Sequence, residues 1–487
     1  MFKCINLENF KSYKNADIKL SPLTILCGGN SSGKTSLIKS ILLMKQSFES
    51  TGSNYLLVNG AYCNNGWFEN IAHNIEGSAQ AKQLSISVSL DIEKDTVAFK
   101  DLCKSIGMLK NKKDICRFDI HASFGFQQNP LIPQIGEINS SEIILETTFT
   151  QESKQYSGDS IVSRIKMTRL ESEQIYNVEL ENFPTPVHSN ESNEYPFVYL
   201  NYSWRNCVCY FSGMQLVSLY YESMSKKGIG ALPVLYTIFR FLYTEMVKVK
   251  YIGPLRETPL RQYVLQDICS NIGIKGENTA QYLGQYGTSI IKAILPENNH
   301  EKEISLVEAV NQWATFLGIE GVSVNKNAIP GANITQIVIG TQNLADVGFG
   351  VSQVLPILVE GLTINKGDTL ILEQPEIHLH PKMQMDIADF LLAMTRQGKN
   401  LIIETHSDHI INRIVRRTLE ETAFRDKIRI YFVEKGADGC SFLSEVQIDE
   451  KLGIMDAPKG FFDQYSIETE HILKAGYKNM CVKWGQQ

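Results

Sequence analysis

The chain has 487 residues, which suggests roughly two to four domain-sized units, and 43% of them are hydrophobic, enough for a sizeable core. The mean hydropathy is −0.14, and the sequence shows neither an apolar run of membrane-spanning length nor a signal-peptide core, so we expect a protein without a membrane segment. A net charge of −6 excludes nucleic-acid binding through a generally basic surface, and leaves only a local basic patch or a partner.

The ten cysteines are scattered along the chain, and Cys207 and Cys209 form the one close pair in the sequence. A zinc site would need the C-x₂-C spacing or a histidine partner, so reduced structural thiols are the preferred interpretation. Thiols of this kind, in a chain without a secretion signal, predict a cytoplasmic protein.

The first element is a strand, a glycine-rich loop and a helix near the N-terminus. Residues 23–27 form an apolar run, residues 28–35 match the phosphate-binding pattern G-x-x-x-x-G-K-[ST] at every fixed position, and apolar residues follow at helical spacing. The backbone N–H groups of such a loop and the helix dipole surround a triphosphate, which Lys34 contacts while the Thr35 hydroxyl holds Mg²⁺. The predicted phosphate-binding residues are Asn30, Ser31, Ser32, Gly33, Lys34, Thr35 and Ser36.

Alternating apolar residues then predict an antiparallel meander over residues 84–92, 118–124, 143–149 and 161–167. From about residue 186 to 250 the pattern becomes helical and aromatic, with loops expected at 189–193 and 225–230 and a buried helix at 231–246. No heptad repeat extends over several turns, so we expect a compact, mainly helical insertion in place of a long coiled coil.

After residue 251, strands and helices alternate again, which predicts a mostly parallel sheet whose strand ends share one edge with the phosphate loop. A strand is expected at 334–339, followed by Gly348-Phe-Gly350-Val-Ser352 and an apolar helix at 354–362. Two buried strands are expected at 369–373 and 400–406.

Three polar elements at these strand and helix ends could contact a nucleotide or its metal ion. Glu373 closes a buried strand, where a carboxylate can help hold the water shell of Mg²⁺, although a turn and helix cap would use similar residues. His406 can contact a γ-phosphate or its attacking water, or can merely cap the helix after it. Residues 348–353 can grip a phosphate at a helix N-terminus, or form a plain turn.

Together, these elements resemble the nucleotide-binding head of ABC-type ATPases, in the branch of the SMC, RecF and OLD proteins. The resemblance implies an α/β ATPase head, a P-loop NTPase with a mixed sheet and an antiparallel meander, in which a homodimer or higher oligomer sandwiches ATP and Mg²⁺. By position, Lys34 and Thr35 correspond to Walker A, Glu373 to the Walker B acid that binds Mg²⁺, and His406 to the switch histidine. Gly348, Gly350 and Ser352 resemble a variant of the signature motif, which contacts the nucleotide of the second subunit.

Other segments take their place from the same resemblance. Residues 376–381 occupy the position of the D-loop, and residues 66–73 lie about where the Q-loop falls. Residues 9–13 resemble the first hairpin of these heads, which brings Lys11 and Ser12 near the adenine and the phosphates.

The sequence departs from the family at Gln374, because the family usually has a glutamate there that activates the attacking water. An amide can orient water but cannot accept its proton, so general-base assistance of about 10²–10⁴-fold would be absent. Either Glu376 takes this role or hydrolysis is slow. We expect slow turnover, with bound ATP acting as a switch.

Basic residues outside these motifs have two interpretations each. Arg256 could contact the nucleotide or bridge the two lobes, but a structural ion pair is the preferred interpretation. Arg413, Arg416 and Arg417 could touch a phosphate backbone or form a solvated helix face, and the solvated face is preferred.

A narrower resemblance rests on residues 251–259, 373–381 and 458–464. These resemble standalone bacterial ATPases with a short C-terminal domain, some of which, the PtuA-type ATPases of the Septu anti-phage system, act with an HNH nuclease. We therefore predict an ABC-type ATPase that serves as a nucleotide-gated dimeric sensor or scaffold in anti-phage defence and controls a partner nuclease. The alternative is a RecF-like clamp for DNA repair or chromosome maintenance; a small-molecule kinase fits the signature-like segment and His406 less well.

The chain itself shows no recognisable nuclease cluster, so DNA cleavage would need a partner. The expected organisation is an N-terminal lobe over 1–185, a helical insertion over 186–250, a C-terminal lobe over 251–450 and an extension over 451–487.

Overall fold

The computed structural model describes most of the chain. The described residues are 2–50, 55–73, 83–92, 96–105, 115–128, 138–152, 157–169, 175–186, 197–212, 214–220, 231–264, 268–296, 300–326, 334–449 and 451–484. The expected loops at 189–193 and 225–230 lie outside them.

The N-terminal half is built mainly from strands. Its strands are β1 (Phe2–Phe10), β2 (Tyr13–Lys19), β3 (Leu23–Gly28), β4 (Tyr55–Leu56), β5 (Gln83–Ile92), β6 (Ile115–Gln128), β7 (Ile138–Glu152), β8 (Ser157–Arg169), β9 (Ile175–Pro186), β10 (Phe197–Ser212) and β11 (Gln215–Tyr220). Its helices are α1 (Lys34–Glu49), α2 (Val97–Ser105) and α3 (Ala231–Val247).

The C-terminal half alternates strands and helices, as predicted. Its strands are β12 (Val249–Ile252), β13 (Tyr263–Val264), β14 (Ile290–Ile294), β15 (Glu301–Ser305), β16 (Val322–Lys326), β17 (Ile334–Ile339), β18 (Gln342–Asn343), β19 (Thr369–Glu373), β20 (Asn400–Glu404), β21 (Ile428–Lys435), β22 (Ser441–Asp449) and β23 (Gly453–Met455). Its helices are α4 (Thr279–Tyr286), α5 (Leu306–Phe316), α6 (Phe349–Thr363), α7 (Pro381–Arg396), α8 (Asp408–Glu420) and α9 (Gln464–Trp484).

A mostly parallel sheet with the order β12-β19-β20-β3-β21-β22-β23 carries the phosphate loop. β12, β19, β20, β3 and β21 pair in parallel, and β22 joins antiparallel. Every residue of β19 and β20 is buried, as expected for strands covered on both faces. The predicted common edge is confirmed, because β3, β19 and β20 all end on the same side of the sheet.

A second, antiparallel sheet has the order β11-β10-β9-β8-β7-β6-β5-β1-β2, with β4 paired to β7. The alternating segments predicted at residues 84–167 lie in β5 to β8, so the meander and the α/β class are confirmed.

Two hydrophobic cores meet at β3. Leu23, Ile25 and Cys27 belong to one core, whereas Leu26 belongs to the other, together with the buried face of α1. Because successive side chains of a strand point to opposite faces, β3 joins both cores and the loop after it is anchored from two sides.

The expected helical character of residues 186–250 is wrong for its largest described part. Residues 197–212 and 215–220 form β10 and β11, which extend the antiparallel sheet beyond β9, and α3 is the one helix among the described residues of this region. Cys207 and Cys209 are buried free thiols two residues apart on β10, which is the period of a strand. Aromatic residues suit a pleated surface as well as a buried helix, so their frequency misled the prediction.

Among the described residues, no helix combines the length and the apolarity that crossing a bilayer demands.

Candidate functional site

The loop between β3 and α1 has the backbone of a phosphate cradle. Gly28, Ser31 and Gly33 have φ of 136°, 58° and 119°, in the left-handed region that glycine tolerates best. A Cβ on Gly28 would lie 2.1 Å from the carbonyl oxygen of Val433, so the first glycine of the motif is fixed by the neighbouring strand.

This loop forms the floor of an open cleft of about 520 Å³. Predicted residues that line it are Lys11, Ser12, Asn30, Ser31, Ser32, Gly33, Lys34, Thr35, Ser36, Gln374 and His406. The cleft is also lined by Glu69, Asn70, Ala72, Glu404, Lys435 and Gly439. Glu69, Asn70 and Ala72 come from the segment expected near the Q-loop, so the structure places that segment beside the phosphate loop.

Lys34 is folded onto its own loop. Its Nζ donates to the carbonyl oxygens of Gly28 at 3.1 Å and Gly29 at 2.7 Å, and burial lowers its pKa. Lys34 is only 3% exposed. Because a phosphate is negatively charged, it would be a stronger hydrogen-bond partner for this ammonium group than the two carbonyls.

Two buried hydroxyl groups at the loop form no hydrogen bond in the described part of the chain. Within that part of the chain, the Oγ of Ser32 and the phenol oxygen of Tyr13 have no hydrogen-bond partner. Ser32 lines the cleft and is 3% exposed. Because an orphaned buried hydroxyl is costly, Ser32 fits a loop that binds a phosphate-bearing ligand.

The β21–β22 turn supports the loop from the other side. The Ser441 hydroxyl donates to the carbonyl oxygen of Ser32, and the Ser441 N–H donates to the carbonyl oxygen of Ser12 at 2.8 Å. Lys11, next to Ser12, donates from Nζ to Asn65 at 2.6 Å, and burial lowers its pKa to about 8. Both predicted residues of the first hairpin therefore lie at this end of the cleft.

Glu404 is the acidic residue that touches Thr35, and sequence reasoning missed it. Its two carboxylate oxygens accept from the Thr35 hydroxyl at 3.0 and 2.9 Å, and the side chain is 3% exposed. The available signal was an acid at the end of a buried strand, the same signal that identified Glu373. The predicted strand was extended to His406, which placed Glu404 inside it, whereas β20 ends at Glu404.

Glu373 lies beside Glu404 but faces a different partner. The two residues are register partners on β19 and β20, and Glu373 accepts a hydrogen bond from the Tyr251 hydroxyl at 2.9 Å. Burial, and then the neighbouring Glu404, raise the pKa of Glu373 to about 7. The two buried carboxylates form an acidic pair that a divalent cation would stabilise.

Gln374 follows directly with φ of 46°, a left-handed conformation that is uncommon outside glycine. Its N–H donates to the carbonyl oxygen of Glu404 at 2.7 Å, and the residue lines the cleft. Within the described part of the chain, Arg256 bonds to backbone oxygens in place of the expected ion pair, at 2.7 Å to Glu373 and 3.0 Å to Gln374. Arg256 therefore holds the turn that presents Gln374.

Glu376 positions the loop that carries His406. One of its oxygens accepts from the Thr405 hydroxyl at 2.8 Å, and the other accepts from the His406 N–H at 2.6 Å. Burial, and then the charge of Lys34, lower the pKa of His406, which favours a neutral imidazole at the cleft. With both oxygens engaged, Glu376 is poorly placed to accept a proton from water.

The structure does not bring Gly350 and Ser352 into this cleft. Ser352 donates from Oγ to the carbonyl oxygen of Phe349 at 2.8 Å within the first turn of α6. A Cβ on Gly350 would lie 2.8 Å from the carbonyl oxygen of His378, so this glycine permits close packing of α6 against residues 374–380.

The basic run on α8 forms ion pairs. Arg413 lies 3.2 Å from Asp386, Arg417 lies 2.7 Å from Asp389, and Arg416 pairs with Glu420. Arg413 and Arg417 therefore tie α8 to α7 from half-buried positions, so the preferred solvated-face interpretation is wrong for them. It holds for Arg416, which is 61% exposed and pairs within α8.

Comparison with known proteins places this site in a family. The model of the AAA ATPase domain matches residues 1–204 and 275–411, which is more than half of the chain and includes the phosphate loop, Glu373 and Glu404. No curated protein matches the sequence.

Solved structures of SMC heads are distantly similar in fold. An SMC head bound to the C-winged helix domain of ScpA is 9% identical, with a TM-score of 0.42, over 92% of this chain and 98% of that one. The SMC head domain from Thermotoga maritima is 11% identical, with a TM-score of 0.38, over 92% and 99%. An SMC head from Pyrococcus furiosus with an extended coiled coil, bound to the C-terminal domain of ScpA, is 9% identical, with a TM-score of 0.41, over 92% and 96%. From the family match and the phosphate loop, the chain belongs to the AAA ATPase domain family.

Proposed function

We propose that the protein binds ATP in the cleft at β3 and α1 and hydrolyses it slowly, so that nucleotide occupancy acts as a switch. The observation that carries this proposal is Gln374, an amide at the position that lines the cleft after the buried strand β19. Glu376, the alternative base that the sequence offers, is held by Thr405 and His406. With an amide at this position and Glu376 held by two hydrogen bonds, turnover loses general-base assistance.

The residues of the chain have separate tasks in this scheme. The loop amides and Lys34 bind the β- and γ-phosphates, with Lys34 exchanging two loop carbonyls for phosphate oxygens. Gln374 and the neutral imidazole of His406 orient water and the γ-phosphate. The Thr35 hydroxyl and the buried acids Glu373 and Glu404 would hold Mg²⁺ at this site, and the ion would supply charge neutralisation to the phosphates.

We further propose that a second copy of the chain completes the site. Gly350 and Ser352 lie outside the cleft of their own chain, while Gly348 has open space around it and Phe349 is 45% exposed. A surface helix start of this kind is free to cover the nucleotide of a second copy in a homodimer.

The cellular role that we propose is control of a partner nuclease in anti-phage defence, in the cytoplasm. The motif resemblance over residues 251–259, 373–381 and 458–464 supports it. Co-expression with neighbouring genes and co-purification test this part. A stoichiometric nuclease partner is the expected result, and recovery of the ATPase alone, with DNA binding by itself, would favour the repair-clamp alternative.

The nucleotide part is tested by binding a fluorescent ATP analogue and by measuring phosphate release. We expect saturable binding, turnover below about 1 s⁻¹, at the low end of typical enzymes, and an ATP-dependent increase in mass by light scattering. Lys34→Ala should abolish binding, and Arg416→Ala, on the paired face of α8, should leave binding unchanged. Turnover in the ordinary enzymatic range would contradict the switch.

A further inference from the structure

We propose that Glu404 is a direct protein ligand of Mg²⁺ and shares the ion with Thr35. Glu373, which ends the strand beyond Glu404, does not bind the ion directly. This inference rests on the proposed ATP binding, and it adds to the phosphate loop a metal-binding acid on the neighbouring strand.

The distances at Thr35 match those of a magnesium site. Mg²⁺ has octahedral geometry with oxygen ligands at 2.0–2.1 Å, so two adjacent ligands lie about 2.9 Å apart. The carboxylate oxygens of Glu404 lie 3.0 and 2.9 Å from the Thr35 hydroxyl. An ion can therefore bind both groups with little movement of either side chain.

The order of the strands favours Glu404 over Glu373. β20 lies between β3 and β19, so Glu404 ends the strand next to the phosphate loop and Glu373 ends the strand beyond it. Neighbouring strands are about 4.8 Å apart, and this separation is longer than an Mg²⁺–oxygen bond. Glu404 lines the cleft, whereas Glu373 is bound to the Tyr251 hydroxyl at 2.9 Å.

The surroundings of Glu404 also call for a cation. The carboxylate is 3% exposed, and its register partner on β19 is the acid Glu373. Buried charges are stable when they are paired or coordinate a metal, and Lys34, one of the cations whose charge reaches Glu404, has the phosphates as its partner in the proposed complex. Lys34 Nζ bonds to the carbonyl oxygens of Gly28 and Gly29, so Mg²⁺ would supply the direct cationic partner of this buried acid.

The test measures metal binding apart from activity. Affinity for a fluorescent ATP analogue is measured with Mg²⁺ and with EDTA, and Mn²⁺ bound to the protein–ATP complex is counted by EPR. The variants are Glu404→Gln, with Glu404→Asp to retain a carboxylate and Glu373→Gln as the matched control on the next strand. Thermal unfolding without nucleotide verifies that each variant folds.

We expect Glu404→Gln to reduce the Mg²⁺-dependent gain in ATP affinity roughly 10- to 100-fold, to weaken bound Mn²⁺ similarly, and to leave affinity in EDTA unchanged or higher. Glu404→Asp should recover part of the gain, and Glu373→Gln should have the smaller effect. A full Mg²⁺ gain in Glu404→Gln, or a larger loss in Glu373→Gln, would overturn the role of Glu404 while leaving ATP binding intact. A wild-type protein that binds no ATP in either condition would overturn the proposed function and this inference together.

Discussion

Replacing Arg256 by methionine tests how the end of β19 is held in place. The guanidinium is 5% exposed and donates to the carbonyl oxygens of Glu373 at 2.7 Å and Gln374 at 3.0 Å. Methionine keeps much of the volume of the side chain but removes both donors. The carbonyls at the turn before the cleft would then lose their partner.

The expected magnitude follows from these two bonds. A hydrogen bond from a charged donor contributes about 1.5–3 kcal/mol, so two give about 3–6 kcal/mol. Removing a buried charge returns part of its desolvation cost, so the lower end, about 3 kcal/mol, is the expected loss in the free energy of unfolding for Arg256→Met. Arg256→Lys, with one compact ammonium group, should lose about half of that.

Differential scanning calorimetry measures the effect. For a unit of 150–250 residues, 1 kcal/mol shifts Tm by about 2–4 °C, so Arg256→Met should lower Tm by about 6–12 °C. The control is Arg261→Met, because the Arg261 side chain is 69% exposed and pairs with Asp346 on the surface. An exposed pair contributes about 1 kcal/mol or less. Equal shifts in the two variants would refute the assignment of Arg256 as the residue that holds this turn.

Three further outcomes are expected. Gln374→Glu should raise kcat at saturating ATP on the order of 10²-fold in a phosphate-release assay, and equal turnover would contradict the missing-base interpretation. Burial raises the pKa of Glu360 from 4.5 to about 7. The folded state therefore retains a proton that the unfolded chain has lost, and stability falls as the pH rises from about 4.5 to 7. Glu360→Gln should remove this fall, so the free energy of unfolding should rise by about 3 kcal/mol at pH 8 and change little at pH 4. Denaturant unfolding measures this difference, and an equal gain at both pH values would contradict it. Gly28→Ala should lower the free energy of unfolding by about 2–4 kcal/mol and abolish ATP binding, because its Cβ would lie 2.1 Å from Val433. Gly29→Ala, which has open space for a Cβ, should change the free energy of unfolding by no more than about 1 kcal/mol. Equal losses in the two variants would argue against the close approach at Gly28.

Several parts of this protein were predictable from the sequence because their determinants are contiguous. The phosphate loop needs glycines at fixed spacing between one strand and one helix, and β3 and α1 appear as predicted. Residues 370–372 are apolar and precede the terminal acid of β19, since a strand buried on both faces needs such a run. The alternating residues of β5 to β8 likewise marked one face of a sheet.

The assignment of residues 197–220 and the partners of the acids depended on the tertiary structure. Aromatic and β-branched residues fit a helix or a strand, and pairing with β9 decided in favour of β10. Nothing local to Glu404 or Glu376 indicates that one contacts Thr35 and the other holds His406. These contacts depend on the order β19-β20-β3 and on the register that places Glu373 beside Glu404. Strand order and register come from long-range burial, so the phosphate loop could be identified from its own residues, but the contacts of its acidic neighbours could not.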